Sequence, residues 1–190
     1  MKIGIFGKSG SGKTTIAHFF TEKGFLHINL DRIGKEVVSV YPEITAEIIC
    51  KFGKEYVTED GIDREKLGTL VFGDQSELEK LNGIFFKYIT AEAEKEMASA
   101  ENCIVEGAVL FESGLSIKMD KIIYVKTDKA TAVDRICRRE NISAEKAGLR
   151  INAQSKYDEL EKKVDFVIET NDSVPELVRK IEELFNDLKI

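Results

Sequence analysis

Tryptophan is absent from this 190-residue chain, and proline (2), histidine (2) and cysteine (3) are scarce. The cysteines, Cys50, Cys103 and Cys137, are odd in number, far apart and form no CxxC pair, which excludes a disulfide framework and a thiolate metal cluster. Each lies among apolar neighbours and is expected to be a buried, reduced thiol. His18 falls on an expected helix and His27 on an expected strand; neither has metal-ligand spacing, and both are expected to be structural. No apolar run approaches the roughly 20 residues that cross a bilayer. The opening Met1-Lys2-Ile3-Gly4-Ile5-Phe6 is too short, and too soon interrupted by Gly7 and Lys8, to read as a secretory leader, so a cytoplasmic location is expected. Basic residues are in deficit, 28 against 34 acidic ones, for a net charge of -6, which argues against a general nucleic-acid or anionic-membrane surface. A site for a polyanion must then be a local island of positive charge. Internal repeats, low-complexity tracts and Pro/Gly/Ser linkers are also missing.

What remains is 43% hydrophobic and 33% charged, the composition of a soluble globular domain with a dense ionic surface. The length suits one domain with room for an inserted subdomain. Short apolar runs rich in Ile and Val, at 2–6, 25–29, 103–105, 122–125 and 166–168, alternate with helical patterns such as 14–23, 128–140 and 175–188. Runs of this kind suit strands buried on both faces, so the pattern predicts a three-layer α/β fold around a five-stranded parallel sheet. Pro42 and Pro175 both fit the first turn of a helix, and Ser173-Val174-Pro175-Glu176 reads as a capping box.

Two stretches break the alternation. From about 37 to 100 the pattern is helical almost throughout, with a turn near Asp60-Gly61, which predicts a helical insertion over the C-terminal ends of the strands, where open α/β sheets bind ligands. A polar, charged segment at about 135–163 is a candidate lid. The core is then about 1–36, 101–134 and 164–190.

Gly7-Lys8-Ser9-Gly10-Ser11-Gly12-Lys13-Thr14 matches GxxxxGK[ST] between the first strand and the first helix, the context this phosphate-binding loop requires. The glycines let successive N–H groups converge on phosphate oxygens, and the helix N-terminus adds partial positive charge. Ser9, Gly10, Ser11, Gly12, Lys13, Thr14 and Thr15 are the predicted ATP-binding residues, with Lys13 reaching the β and γ phosphates and Thr14 ligating Mg2+. No Asn-Lys-x-Asp guanine reader accompanies the loop. The predicted fold is therefore a P-loop kinase fold.

Three further features carry chemistry. Asp31, after Ile28-Asn29-Leu30, is either a general base toward a substrate hydroxyl or the N-cap of a helix starting at Arg32. Glu106, after Cys103-Ile104-Val105, is either a second Mg2+-holding group or a solvated strand-end acid. Arg135, Arg138, Arg139 and Arg150 form the expected basic island, Arg135 and Arg139 sharing a helix face; the alternative is a solvated helix paired with Glu140 and Glu145.

Taken together, these segments resemble the dephospho-coenzyme A kinase family from Met1 to about Asp172. Beside the loop, Ile28-Asn29-Leu30-Asp31 with Val37-Val38 is similar to the family's I-D-A-D…V-V segment. Glu59-Asp60-Gly61-Ile62-Asp63-Arg64, with Leu67-Gly68 and Val71-Phe72, is similar to D-G-x-x-x-R…L…V-F, and Leu110-Phe111-Glu112-Ser113-Gly114-Leu115 to L-L-F-E-S-G-L. Arg135, Arg139, Arg150 and Gln154 fall on the R…R…R…Q lid pattern. The resemblance implies ATP and dephospho-coenzyme A as partners, Asp31 as base on the ribose 3′-hydroxyl and Arg139 closing over the transferring phosphate. It also implies Arg135 and Asn171 at the ATP site, and Arg64, Leu110, Phe111 and Glu112 in the acceptor pocket. The chain departs from the family at Lys8 (a glycine there), Asn29 and Glu106 (both Asp), Ala108 (Pro) and Phe86-Lys87 (His-Pro). Alternative functions are another small-molecule P-loop kinase, with a nucleoside or sugar-acid acceptor, or a non-catalytic nucleotide-binding module.

Overall fold

Lys2–Phe6 forms β1, whose last four residues are fully buried, as a hydrophobic strand at a sheet centre must be. The computed structural model describes residues 1–152, 154–171 and 174–188, without the side chains of Phe72, Ser155, Lys156 and Val174. The capping box expected at Ser173 lies outside the described residues.

The chain divides into two compact units, Met1–Asn29 with Met97–Ile190, and Leu30–Glu96. In the first, β1 pairs in parallel with β5 (Cys103–Glu106) on one side and β6 (Lys121–Lys126) on the other. β2 (Leu26–Asn29) joins β5, and β7 (Phe166–Glu169) joins β6, giving the order β2-β5-β1-β6-β7. This is the predicted five-stranded parallel sheet, with strand ends differing by a residue or two. The chain leaves the central strand toward both edges, so the C-terminal end of β1 is the switch point where such sheets bind ligands.

Alternate residues sort by face. Ile3, Ile5, Ile104, Ile123, Val125 and Ile168 meet α1 (Lys13–Glu22) and α8 (Val174–Asp187) in one core, which also contains Phe20, Phe25 and Leu184. On the opposite face Phe6 stacks on Tyr124 at 4.7 Å and meets the edges of Phe111 and Tyr157. After β6, α6 (Lys129–Glu140) and α7 (Ala144–Asn152) pack through Ala132, Ile136, Ala147 and Ile151. Asp128 caps α6 by accepting from the Thr131 N–H at 2.8 Å, and Asn141 ends it in the left-handed conformation, φ 53°. A 3-10 segment, Ser155–Lys163, leads to β7.

The second unit is helical apart from a two-stranded ribbon. It runs α2 (Leu30–Val40), α3 (Pro42–Phe52), β3 (Val57–Thr58), β4 (Gly61–Ile62), α4 (Arg64–Gly73) and most of α5 (Gln75–Ala98). Pro42 sits in the first turn of α3, as expected. The ribbon stands where the sequence suggested only a turn, because two-residue strands carry no readable period. Of the three thiols expected to be buried, only Cys103 is; Cys137 is half-buried, and Cys50 is exposed, since α3 buries Ile44 and Ile48 and turns the position two residues on toward solvent. Asp31 is not an N-cap: α2 begins at Leu30, which puts Asp31 inside the first turn.

Candidate active site

The loop between β1 and α1 is shaped by close approach. At Gly7 a Cβ would lie 2.3 Å from the Val125 carbonyl, and at Gly10, φ +78°, 2.7 Å from the Ala132 carbonyl. Only glycine lets the loop lie against β6 and α6 in this way. The loop is also buried: Ser9, Ser11 and Lys13 are 9%, 1% and 8% exposed. Lys13 Nζ donates to the carbonyls of Gly7 and Lys8 at 3.0 and 3.1 Å, which folds its chain back along the loop. Ser11 Oγ is buried without a hydrogen-bond partner, a polar atom that a phosphate oxygen would satisfy.

Several side chains brace the loop from behind. Thr170, 1% exposed at the end of β7, donates to the Ser11 carbonyl at 2.7 Å. Arg135 donates to Thr170 Oγ1 (3.0 Å), to its carbonyl (2.7 Å) and to the Gly10 carbonyl (3.3 Å). Gln154 Oε1 accepts the Ser9 N–H at 2.8 Å. Lys8, the extra charge in the loop, pairs with Asp158 at 2.6 Å. Burial opposes ionisation of Asp158, but hydrogen bonds from Lys8 and Tyr124 hold its pKa below the ordinary range. Lys8, Tyr124 and Asp158, with Val125, Lys126 and Thr127, line a cleft of about 320 Å³.

Glu106 ends β5 in register with Ile5 and Asn29, on the α1 side of the sheet. Its Oε1 accepts from Thr14 Oγ1 at 2.8 Å, and its Oε2 from His27 Nε2 at 2.8 Å and Asn29 Nδ2 at 3.2 Å. Burial would raise its pKa; the His27 and Thr14 hydrogen bonds and the Lys13 charge outweigh that and hold it below the ordinary value. At 4% exposure it is not a solvated strand-end acid. A hydroxyl and an ionised carboxylate side by side form a hard-oxygen donor set, which fits Mg2+ completed by phosphate oxygens and water. Thr14 and Glu106 are the residues that would hold it.

The other residues singled out in the sequence lie in one unit or the other. In the first, Arg139 and Arg150 both donate to Glu140, at 2.6 Å and 2.8–2.9 Å, while Arg138 pairs with Asp134. The Arg139 bond, opposed by burial, and the Arg150 charge keep Glu140 below its usual pKa. Asn171 Oδ1 accepts from Thr127 Oγ1 and the Asp128 N–H, tying the end of β7 to the start of α6. Leu110 is fully buried and supports the turn that carries Phe111 and Glu112. In the second unit, Asp31 and Arg64 are exposed, and Arg64 reaches the Lys35 carbonyl at 3.5 Å. Thr170, Asp158 and His27 escaped the sequence reading. For His27 there was a signal: with Asn29 it shares one face of β2, the face on which Glu106 of the neighbouring strand must lie.

A parallel sheet feeding a glycine-rich phosphate loop into α1, with a carboxylate beside the loop threonine, defines a P-loop protein of the nucleotide- and metabolite-kinase class. Comparison with known proteins narrows the class. The chain belongs to the dephospho-CoA kinase family, whose sequence profile matches residues 1–176. It is 38% identical over 185 residues to the dephospho-CoA kinase of Fusobacterium nucleatum subsp. nucleatum, covering 96% of this chain and 95% of that one. Its identity to the dephospho-CoA kinase of Listeria innocua serovar 6a is 35% over 185 residues, 94% and 92% of the two chains. The crystal structure of TT1252 from Thermus thermophilus is similar with a TM-score of 0.81 and 26% identity, over 99% of this chain and 97% of that one.

Proposed function

We propose that this protein transfers the γ-phosphate of ATP to the ribose 3′-hydroxyl of dephospho-CoA, giving CoA and ADP. Membership of the family across residues 1–176 carries the reading, and the buried loop with Thr14 on Glu106 supplies a fitting phosphate and metal end. The loop amides and Lys13 bind the β and γ phosphates, Ser11 Oγ offering one more polar contact. Thr14 and Glu106 hold Mg2+, whose contribution when bound is to neutralise charge developing on the phosphates. Arg135 and Asn171 complete the ATP end.

On the acceptor side, Asp31 takes the proton of the attacking hydroxyl. Arg64, Phe111 and Glu112, supported by Leu110, are assigned to acceptor recognition. Arg139 leaves Glu140 to stabilise the transferring phosphoryl group, which departs from the β-phosphate oxygen as the new O–P bond forms. Closure of the Arg-bearing segment over the phosphates excludes water and favours transfer over hydrolysis.

The test is direct. Protein, Mg-ATP and dephospho-CoA are mixed and the acceptor is weighed. Gain of one phosphoryl group on the 3′-hydroxyl, with one ADP per CoA, is the expected result. Nucleotide binding with dephospho-CoA left unchanged, or faster phosphorylation of a nucleoside or sugar acid, overturns the acceptor assignment.

A further inference from the structure

His27 and Asn29 have no part in the reaction described above, yet both reach the same carboxylate oxygen. They stand two apart on β2 and face α1, and Asn29 is the register partner of Glu106. His27 Nε2 and Asn29 Nδ2 both donate to Glu106 Oε2, at 2.8 and 3.2 Å, while Oε1 takes the Thr14 hydroxyl. To donate to a carboxylate, Nε2 must carry the imidazole proton, so the tautomer is set by this contact.

The geometry answers a problem that the sequence creates. A glutamate side chain has several rotatable bonds and its terminal torsion is broad, so a strand-end Glu has several orientations available. Two donors on Oε2 remove that freedom and leave Oε1 beside Thr14. Position 29 meets the same requirement: a carboxylate there would lie about 3 Å from Oε2, where like charges repel, whereas the Asn29 amide donates to it.

We propose that His27 and Asn29 are positioning residues for the divalent-metal end of this site, holding Glu106 so that Oε1 and Thr14 Oγ1 present one oxygen face to the metal. The inference rests on the Mg-ATP reading above. Groups that orient a metal-holding side chain typically change metal affinity about 10- to 100-fold when removed.

The test uses the full chain and reads binding rather than turnover. ATP affinity is measured calorimetrically with and without Mg2+, and Mn2+ affinity in the presence of ATP by electron paramagnetic resonance. In wild type, Mg2+ strengthens ATP binding. In His27→Leu that gain falls about tenfold and Mn2+ binding weakens in step, while metal-free ATP affinity stays at the wild-type value, because the loop amides are untouched. His27→Gln, whose side-chain amide nitrogen can take the place of Nε2, restores the gain. Asn29→Ala, which removes the longer of the two bonds, gives a smaller loss of the same kind and keeps the question answerable should His27→Leu fail to fold. A merely structural role lowers thermal stability and leaves the metal-dependent gain unchanged in every variant, which overturns the inference. Loss in His27→Leu without rescue by His27→Gln overturns it too. Wild type whose ATP binding ignores Mg2+ overturns the reading of the site, and this inference with it.

Discussion

The two units differ most in where they keep their polar groups. In the sheet unit the interior holds Ser9, Ser11, Lys13, Glu106 and Thr170, all on the phosphate loop or at a strand end beside it. Among the described residues, the helical unit buries no polar or charged side chain; its interior positions are Leu30, Ile33, Val37, Ile44, Ile48, Leu67, Val71, Ile84, Ile89 and Ala93. Its ionic groups lie outside, in pairs such as Arg32 with Glu36 and Glu96, or Lys87 with Glu47. A buried polar group is costly unless paired, so its concentration in one place marks the region selected for chemistry. The helical unit keeps its charged side chains at its surface.

Substitutions at the two chemical ends should break apart accordingly. Lys13→Ala removes the buried loop cation and should lower turnover by at least about 10²–10³-fold and weaken ATP binding with it. Asp31→Asn, on the exposed first turn of α2, should lower turnover by about 10²–10⁴-fold while calorimetric ATP affinity and melting temperature stay at wild type. Equal loss of ATP affinity in both variants would end the division of labour. Stability should split the same way. Phe20→Ala opens the sheet unit's core and is expected to cost about 3–5 kcal/mol in denaturant unfolding; Cys50→Ser, on the exposed side of α3, should stay within about 0.5 kcal/mol of wild type.

The same contrast governs what the sequence could reveal. The central strands β1, β5 and β6 were legible because strands buried on both faces are written as short apolar runs rich in Ile and Val, the partly exposed edge strands β2 and β7 only from their place between helical patterns, and the loop because GxxxxGK[ST] needs that residue order to curl around phosphate. Glu106 and Thr14 were legible through the motif logic, but their direct contact was not, since it depends on β5 lying beside β1 and under α1. His27 looked structural because a lone histidine in a strand shows no ligand spacing; only the register of β2 on β5 brings it to Glu106. Lys8 read as a charge near phosphate, and its partner Asp158 is 150 residues away. In the helical unit, amphipathic helices were legible in bulk, but the Val57–Thr58 ribbon and the start of α2 at Leu30 were not, because two-residue strands and helix ends leave little pattern to read.

A finer test concerns acid. Asp165 accepts from Lys121 Nζ and the Ile122 N–H, each at 2.8 Å; burial opposes ionisation, and these bonds outweigh it, so its folded pKa lies below the ordinary value. A depressed carboxylate contributes stability that is complete above its unfolded pKa, about 3.9, and is lost as pH falls through the lower folded value. Melting temperature followed from pH 6 downward should therefore begin to lose this contribution near pH 4. Asp165→Asn should melt lower than wild type at neutral pH, with the gap closing in acid; a constant gap would assign the difference to packing alone.

The smallest effect is expected on the helical unit's surface. Arg32 Nη2 reaches both oxygens of Glu96, at 2.6 and 2.8 Å, and Nη1 reaches Glu36 at 2.6 Å. The Glu96 bond, partly opposed by burial, leads the causes that raise the arginine's pKa. Nevertheless the Arg32 and Glu96 side chains remain 44% and 31% exposed, so water and salt compete for every contact. A double-mutant cycle of Arg32→Ala and Glu96→Ala should give a coupling of about 0.5–1 kcal/mol, falling toward zero at about 1 M salt, where the Debye length shrinks to about 3 Å. A coupling of several kcal/mol that survived salt would mean that this pair is desolvated in solution. The helical unit would then hold a buried ionic group of its own, and the contrast with the phosphate-loop unit would no longer describe the molecule.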